Sequence, residues 1–73
     1  MRLTPLNPSV VVKILQRLGF QKIRQKGSHI FFLHRDGRAT VVPFHKGEDI
    51  PKGLLKKILQ DIDTEWENFI KCK

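Results

Sequence analysis

The residues with the clearest capacity for chemistry are three histidines, His29, His34 and His45. An imidazole gains or loses a proton near neutral pH, so it can serve as a general base or a general acid. Cleaving RNA without a metal ion requires one group that takes the ribose 2′-hydroxyl proton and one that protonates the leaving 5′-oxygen. His29 follows a Gly-Ser turn at the start of a predicted strand, which can expose its ring, so one hypothesis is that it acts as base, acid or both in alternation. The residues alone favour the plainer alternative, a histidine that packs or caps the turn.

The other two histidines are weaker candidates. His34 lies five residues beyond His29, so an ideal strand directs it to the opposite side, and we predict a surface residue beside a turn. His45 follows Pro43 in a predicted loop, where a solvated ring is the first interpretation and an approach to substrate is the second. The three histidines form no metal-ligand pattern with nearby carboxylates, so we predict neither a metal nor another cofactor.

Side chains that can hold a phosphate precede His29 directly. Arg24 and Lys26 alternate along a predicted strand and therefore share one face, where they can stabilise the charge of a pentavalent phosphorus. Gly27 permits a positive φ or the close approach of a phosphate, and Ser28 can donate a hydrogen bond to a phosphate oxygen. The alternatives are a charged edge strand and ordinary turn chemistry.

The charge balance of the whole chain points to a polyanionic partner. Lys and Arg number 14 against 7 Asp and Glu, a formal net charge of +7. The basic residues run through the middle of the chain, whereas the acidic ones concentrate towards its end. Nucleic acid suits this distribution because each neutralised phosphate releases a counterion. The basic residues do not line one amphipathic helix, which argues against a membrane surface.

A second group of lysines surrounds the predicted start of the second helix: Lys46, Lys52, Lys56 and Lys57. A helix N-terminus with lysines nearby favours a phosphate, so we predict RNA contacts for Lys46 and Lys52. The alternative is a solvated helix face. The lone Cys72 excludes an intrachain disulfide, and no segment resembles a signal peptide or a membrane span. We therefore expect a cytoplasmic protein.

The elements that must position these residues follow from periodicity and turn signals. Asn7-Pro8 predicts a helix start, the spacing of Val11, Ile14, Leu15 and Leu18 gives that helix one apolar face, and Gly19 ends it. Asp36-Gly37 predicts a hairpin. The predicted strands are Phe20–Lys26, His29–His34 and Ala39–Val42. The apolar run of the second strand predicts a central strand that is buried on both faces.

The rest of the chain predicts a second helix and a short third one. The second helix is predicted to begin at Asp49 or Ile50, with Pro51 in its first turn. Thr64 to Glu67 fits a capping box before the third, and we expect a loose arm over residues 1–6. The order α-β-β-β-α predicts an α+β fold in which two helices cover one face of a three-stranded antiparallel sheet. This is the architecture of the double-stranded-RNA-binding domain.

An ordered series of short motifs resembles the HicA family of messenger-RNA interferase toxins, from about Val10 to about Ile62. The series comprises Leu18-Gly19-Phe20, Arg24-Gln25-Lys26-Gly27-Ser28-His29, Asp36-Gly37-Arg38, Val41-Val42-Pro43, His45-Lys46-Gly47 and Ile50-Pro51-Lys52-Gly53-Leu54-Leu55. The resemblance implies a double-stranded-RNA-binding-like fold, RNA cleavage by the histidine after Gly-Ser, which is His29, and inhibition by a HicB-type antitoxin. Phe44 and the tail 63–73 depart from the family pattern. We expect one domain over residues 1–73, with a core of about 7–62 and a C-terminal extension over 63–73.

Three hypotheses about function remain open at this stage. The first is a metal-independent endoribonuclease toxin that cuts messenger RNA and leaves a 2′,3′-cyclic phosphate. The second is a non-catalytic RNA- or DNA-binding module, which accounts for the charge and the fold without a reactive histidine. The third is a basic surface that docks an acidic antitoxin. Both a homodimer of the chain and a hetero-oligomer with the antitoxin are open under this hypothesis. An apolar tail of Trp66, Phe69 and Ile70, left exposed, would suit such a partner.

Overall fold

The computed structural model describes residues 2–73, so the part of the predicted N-terminal arm at Met1 lies outside the described residues. Three helices and one sheet follow the predicted order, which confirms the α+β fold. Their bounds are α1 Pro8–Arg17, β1 Phe20–Lys26, β2 His29–His34, β3 Ala39–Pro43, α2 Lys52–Asp61 and α3 Trp66–Ile70.

The first helix begins and ends as its sequence predicts. The side chain of Asn7 accepts a hydrogen bond from the backbone N–H of Ser9, and Pro8 occupies the first turn, where no N–H is needed. Val11, Ile14 and Leu15 are fully buried. Gly19 follows the helix with a φ of +96°, a conformation that favours glycine.

The sheet is antiparallel with the order β1-β2-β3, so the prediction of β2 as the central strand is confirmed. Its register places Ile30 and Phe32 towards the helices, where Phe32 is fully buried. The prediction that β2 is buried on both faces is wrong. His29 and Leu33 are exposed and Phe31 is half-buried, because both long helices pack on one face and leave the other open.

A bulge in β1 explains the imperfect alternation of its sequence. Lys22 pairs with Phe32 and Arg24 pairs with Phe31, so Ile23 lies between them without a partner in the register. Beyond the bulge, Arg24 and Lys26 share the open face with their β2 partners. Without the extra residue the two cations would lie on the helix side of the sheet.

The segment before α2 is extended rather than helical. Leu6 and Ile50 exchange two backbone hydrogen bonds of 3.2 and 2.7 Å, and both side chains are buried. The predicted start at Asp49 or Ile50 is therefore wrong. The helix begins at Lys52, and Pro51 is its N-cap residue without a side-chain cap. The same bridge corrects the prediction of a loose arm, because it fixes Leu6 to the body of the domain.

The C-terminal tail packs onto the domain. Phe69 is fully buried and Trp66 is only 8% exposed, and both belong to the same hydrophobic cluster as the buried residues of α1 and the sheet. The expectation of an exposed apolar tail is therefore wrong. The predicted capping box is also absent, since Thr64 donates its hydroxyl proton to the carbonyl of Ile62 and Glu65 is the N-cap residue. No helix within residues 2–73 is long and apolar enough to cross a bilayer.

Candidate functional site

The candidate site lies at the end of the sheet where β1 turns into β2. Gly27 and Ser28 form the two-residue turn between the paired residues Lys26 and His29. Gly27 has a φ of +59°, which a two-residue hairpin turn requires and which glycine adopts without strain. No heavy atom would lie within 4 Å of a β-carbon at Gly27, so this side of the turn is open space.

His29 is exposed on the open face of the sheet, between Lys26 on β1 and Pro43 on β3. Two histidine rings within residues 2–73 make hydrogen bonds, His34 to Asp36 and His45 to Ser28, whereas His29 makes none. An exposed imidazole with both nitrogens free can exchange a proton with a bound substrate. This geometry leaves the ring available to a ligand on the open face.

Two cations share that face with His29. Lys26 is its direct cross-strand partner, and Arg24 is the partner of Phe31, the next residue on the same face of β2. The guanidinium carbon of Arg24 lies 4.5 Å from the centre of the Phe31 ring, a cation–π contact that holds the side chain against the sheet. The open face therefore presents two positive charges and an aromatic ring beside the exposed imidazole.

A third chain segment reaches the same turn from β3. The backbone N–H of Phe44 donates a 2.6 Å hydrogen bond to the carbonyl of Ser28. The next residue, His45, brings its Nε2 atom to 3.4 Å from the hydroxyl oxygen of Ser28. The residues alone favoured a solvated loop position for His45. The ring is indeed exposed, and it also contacts the candidate site.

A signal for this contact was present in the sequence. The backbone hydrogen bond between His34 and Arg38 closes the hairpin and sets Leu33 opposite Ala39. Counting one residue back along β2 for each residue forward along β3 then sets His29 opposite Pro43. The same count sets Ser28 beside Phe44. Register counting from the Asp-Gly turn would therefore have placed His45 near Ser28.

The predicted site residues do not all come together. Arg24, Lys26, Gly27, Ser28 and His29 form one continuous surface at the β1-β2 turn. Lys46 is exposed directly after His45. Lys52 begins α2 and is separated from the turn by a groove of about 280 Å³, whose lining residues are Pro43, His45, Glu48, Asp49, Ile50, Pro51 and Leu54.

His34 lies at the other end of β2 and on the opposite face, as predicted. It is not the surface residue that the sequence suggested. Its side chain is 16% exposed, and its ring meets the ring of Phe20 edge-on with the centres 5.0 Å apart. Its Nδ1 atom accepts a 3.1 Å hydrogen bond from the backbone N–H of Asp36.

A carboxylate and a guanidinium complete the hairpin beside His34. The side chain of Arg38 forms a 2.9 Å ion pair with Asp36, and its guanidinium also donates to the carbonyl of Ile62. The backbone N–H of Arg38 donates to the Asp36 carboxylate and lowers the pKa of that group. This end of the sheet is therefore held by its own contacts.

Within residues 2–73 no three His, Cys, Asp or Glu side chains are grouped so that they could hold a metal ion.

A family model described as the HicA toxin of bacterial toxin–antitoxin systems matches residues 9–63. No curated protein matches the chain. The matched residues run from α1 to the end of α2 and contain every candidate site residue named above.

Proposed function

The chain belongs to the HicA family of toxins of bacterial toxin–antitoxin systems, and on this premise we propose that it is a metal-independent endoribonuclease that cuts messenger RNA with His29 as a proton-transfer residue. The observation that carries the proposal is the exposed, unbonded His29 ring on the open sheet face beside Lys26. A shallow, open position suits a polymer substrate, because a phosphodiester can approach without entering a cavity.

The chemistry asked of His29 is proton transfer. The ring removes the proton of the ribose 2′-hydroxyl, whose oxygen then attacks the neighbouring phosphorus and displaces the 5′-oxygen, which takes up a proton as it leaves. The products are a 2′,3′-cyclic phosphate and a 5′-hydroxyl. Arg24 and Lys26 bind the phosphate and stabilise its charge as the pentavalent centre forms.

The remaining RNA contacts extend from the turn. Gly27 leaves room for a phosphate, and the Ser28 hydroxyl donates to a phosphate oxygen when it is not paired with His45. Lys46, next to His45, and Lys52, at the start of α2 beyond the groove, are both exposed. Their charges attract the RNA backbone where it extends past the turn. A cytoplasmic location suits this substrate and belongs to the proposal.

The partner proposed for this toxin is a HicB-type antitoxin that covers the open face. Leu33 is 40% exposed on that face and Ile23 is 55% exposed at the bulge beside it. Apolar side chains next to Arg24 and Lys26 offer a protein both hydrophobic contact and charge complementarity to acidic groups. Such a cover would withhold His29 from RNA.

The proposal is tested by incubating the purified chain with a long transcript, with and without EDTA, beside the His29→Ala variant. We expect fragments ending in 2′,3′-cyclic phosphate at the same rate in EDTA. The His29→Ala variant is expected to cut about 10²- to 10⁴-fold more slowly, the range typical of a lost general acid or base. Fragments ending in a 3′-hydroxyl, or activity abolished by EDTA, would contradict the mechanism. Retarded but uncut RNA would instead favour a non-catalytic RNA-binding module.

A further inference from the structure

The imidazole of His45 stands beside the turn that carries His29. Ser28 is the link between them, since its backbone continues into His29 and its hydroxyl oxygen lies 3.4 Å from the Nε2 atom of His45. The 2.6 Å hydrogen bond from Phe44 to the Ser28 carbonyl fixes the backbone on either side. His45 is exposed, as His29 is, so both rings are open to solvent near the same turn.

Transphosphorylation needs two proton transfers at different oxygens of one phosphodiester. The attacking 2′-oxygen and the leaving 5′-oxygen lie on opposite sides of the phosphorus in an in-line displacement, so one ring cannot serve both in a single step. We propose that His45 is the general acid that protonates the leaving 5′-oxygen, with His29 as the general base. This inference rests on the proposed function and deepens it, because it assigns the second proton transfer.

The charges around the two rings differ in sign. Arg24 and Lys26 share the open face with His29, whereas Glu48 and Asp49 line the same groove as His45. The two rings therefore stand in different surroundings, His29 on the cationic open face and His45 at the edge of a groove that also contains carboxylates.

The step balances as follows. The neutral His29 ring takes the 2′-hydroxyl proton, and the 2′-oxygen forms a bond to phosphorus. The bond between phosphorus and the 5′-oxygen breaks, and that oxygen leaves with the proton of His45. His29 ends protonated, His45 ends neutral, and exchange with water restores both rings.

A substrate with sulfur in place of the leaving 5′-oxygen tests this assignment, because a thiolate leaves without protonation. Sites cut by the wild-type chain are first mapped on a long transcript. One site is then made as a short RNA with either the ordinary linkage or the 5′-bridging phosphorothiolate. His45→Gln, His29→Gln and the wild type are compared on both RNAs. His34→Ala is the matched control, since it removes the third imidazole from the opposite face of the sheet.

The expected result is a selective rescue. His45→Gln should cut the ordinary RNA about 10²-fold or more slowly and the sulfur-containing RNA at about the wild-type rate. His29→Gln should be slow on both, and His34→Ala should match the wild type per folded molecule. Equal rates for His45→Gln and the wild type on ordinary RNA would overturn the inference and leave the nuclease proposal intact. A His45→Gln defect that sulfur does not relieve would also overturn it. A wild type that cuts neither RNA would instead defeat the proposed function.

Discussion

The strand β2 carries a histidine at each end, and the two are held very differently. His34 contacts the Phe20 ring, accepts a hydrogen bond from Asp36 and keeps only 16% of its side chain exposed. His29 lies on the opposite face and is exposed, and its ring makes no hydrogen bond within residues 2–73. The same type of side chain therefore packs against the domain at one end of the strand and is exposed to solvent at the other.

The difference shows what separates a structural imidazole from one available for chemistry. At the β2-β3 hairpin the polar side chains already have partners, because Asp36 and Arg38 form an ion pair and Arg38 also donates to the carbonyl of Ile62. The β1-β2 turn leaves cations and the imidazoles of His29 and His45 facing solvent. Rigid support at one end with unpaired groups at the other is what a binding surface requires.

The largest expected effect separates the two histidines directly. His29→Ala should lower the cleavage rate about 10²-fold or more and change the free energy of unfolding by no more than about 0.5 kcal/mol, as for an exposed residue. His34→Ala should do the reverse. It loses about 1–2 kcal/mol of stability through the Phe20 contact and the Asp36 hydrogen bond, and keeps its rate per folded molecule.

Urea unfolding and single-turnover cleavage at a temperature where both variants are folded measure the two quantities on the same preparations. A His29→Ala variant that loses as much stability as His34→Ala would break the contrast between the two ends. A His34→Ala variant with a lowered rate per folded molecule would do so from the other side.

The next effect concerns the close approach of Gly19 to His34. A β-carbon at Gly19 would lie 2.9 Å from the Nε2 atom of His34, and the residue has a φ of +96°. Gly19→Ala should therefore destabilise the fold by about 2 kcal/mol or more, from backbone strain and from displacement of the His34 ring.

Gly37→Ala is the matched control for this prediction. Gly37 has a nearly equal φ of +99°, and nothing lies within 4 Å of the added carbon. Gly37→Ala should show the cost of backbone strain alone. Chemical denaturation of both variants then gives the additional loss of stability that comes from displacing the His34 ring. Equal losses would mean that the His34 ring moves freely and does not support this end of the sheet.

Much of this arrangement was predictable from local signals, and the failures share one cause. Turn residues placed the hairpins, and apolar spacing placed α1 and the central strand. The bridge between Leu6 and Ile50 joins segments that are 44 residues apart in the chain. It keeps Ile50 extended, so α2 begins only at Lys52, and no local sequence pattern indicates such a distant pairing. The burial of Trp66 and Phe69 likewise depends on a surface supplied by distant parts of the chain.

The site was predictable to the same extent. His29, Arg24 and Lys26 follow from a motif and from strand alternation, although alternation gives their common face and not which face it is. The bulge at Ile23 decides that, and a sequence does not reveal which residue of a strand bulges. The environment of His34 depends on Phe20 and Gly19 across the sheet and was missed for that reason.

A smaller effect is expected from the cation beside His29. Lys26→Gln should weaken RNA binding and reduce the slope of log affinity against log salt by about 0.7, the value for one phosphate contact on a single strand. Lys13→Gln is the control, because it removes the same charge from an exposed position on α1. Binding to uncleavable 2′-deoxy RNA analogues over a salt series measures both. Identical slopes for the two variants would show that net charge, and not the open face, attracts RNA.

The smallest effect lies at the hairpin end and depends on pH. The pKa of Asp36 is lowered from its ordinary value of 3.8, first by the backbone N–H of Arg38 and further by the Arg38 side chain and by His34. A group whose pKa is lower in the folded state stabilises the fold above its unfolded pKa, and that contribution disappears as the pH falls through the folded value. The stability difference between the wild type and Asp36→Asn should therefore stay constant above roughly pH 5 and shrink below the ordinary value.

Repeating the urea titrations in a His34→Ala background removes the ring that lies 3.0 Å from the carboxylate. If the difference still shrinks at the same pH, the hairpin depends on the Arg38 contacts. If it no longer shrinks, the charge on Asp36 acts through His34.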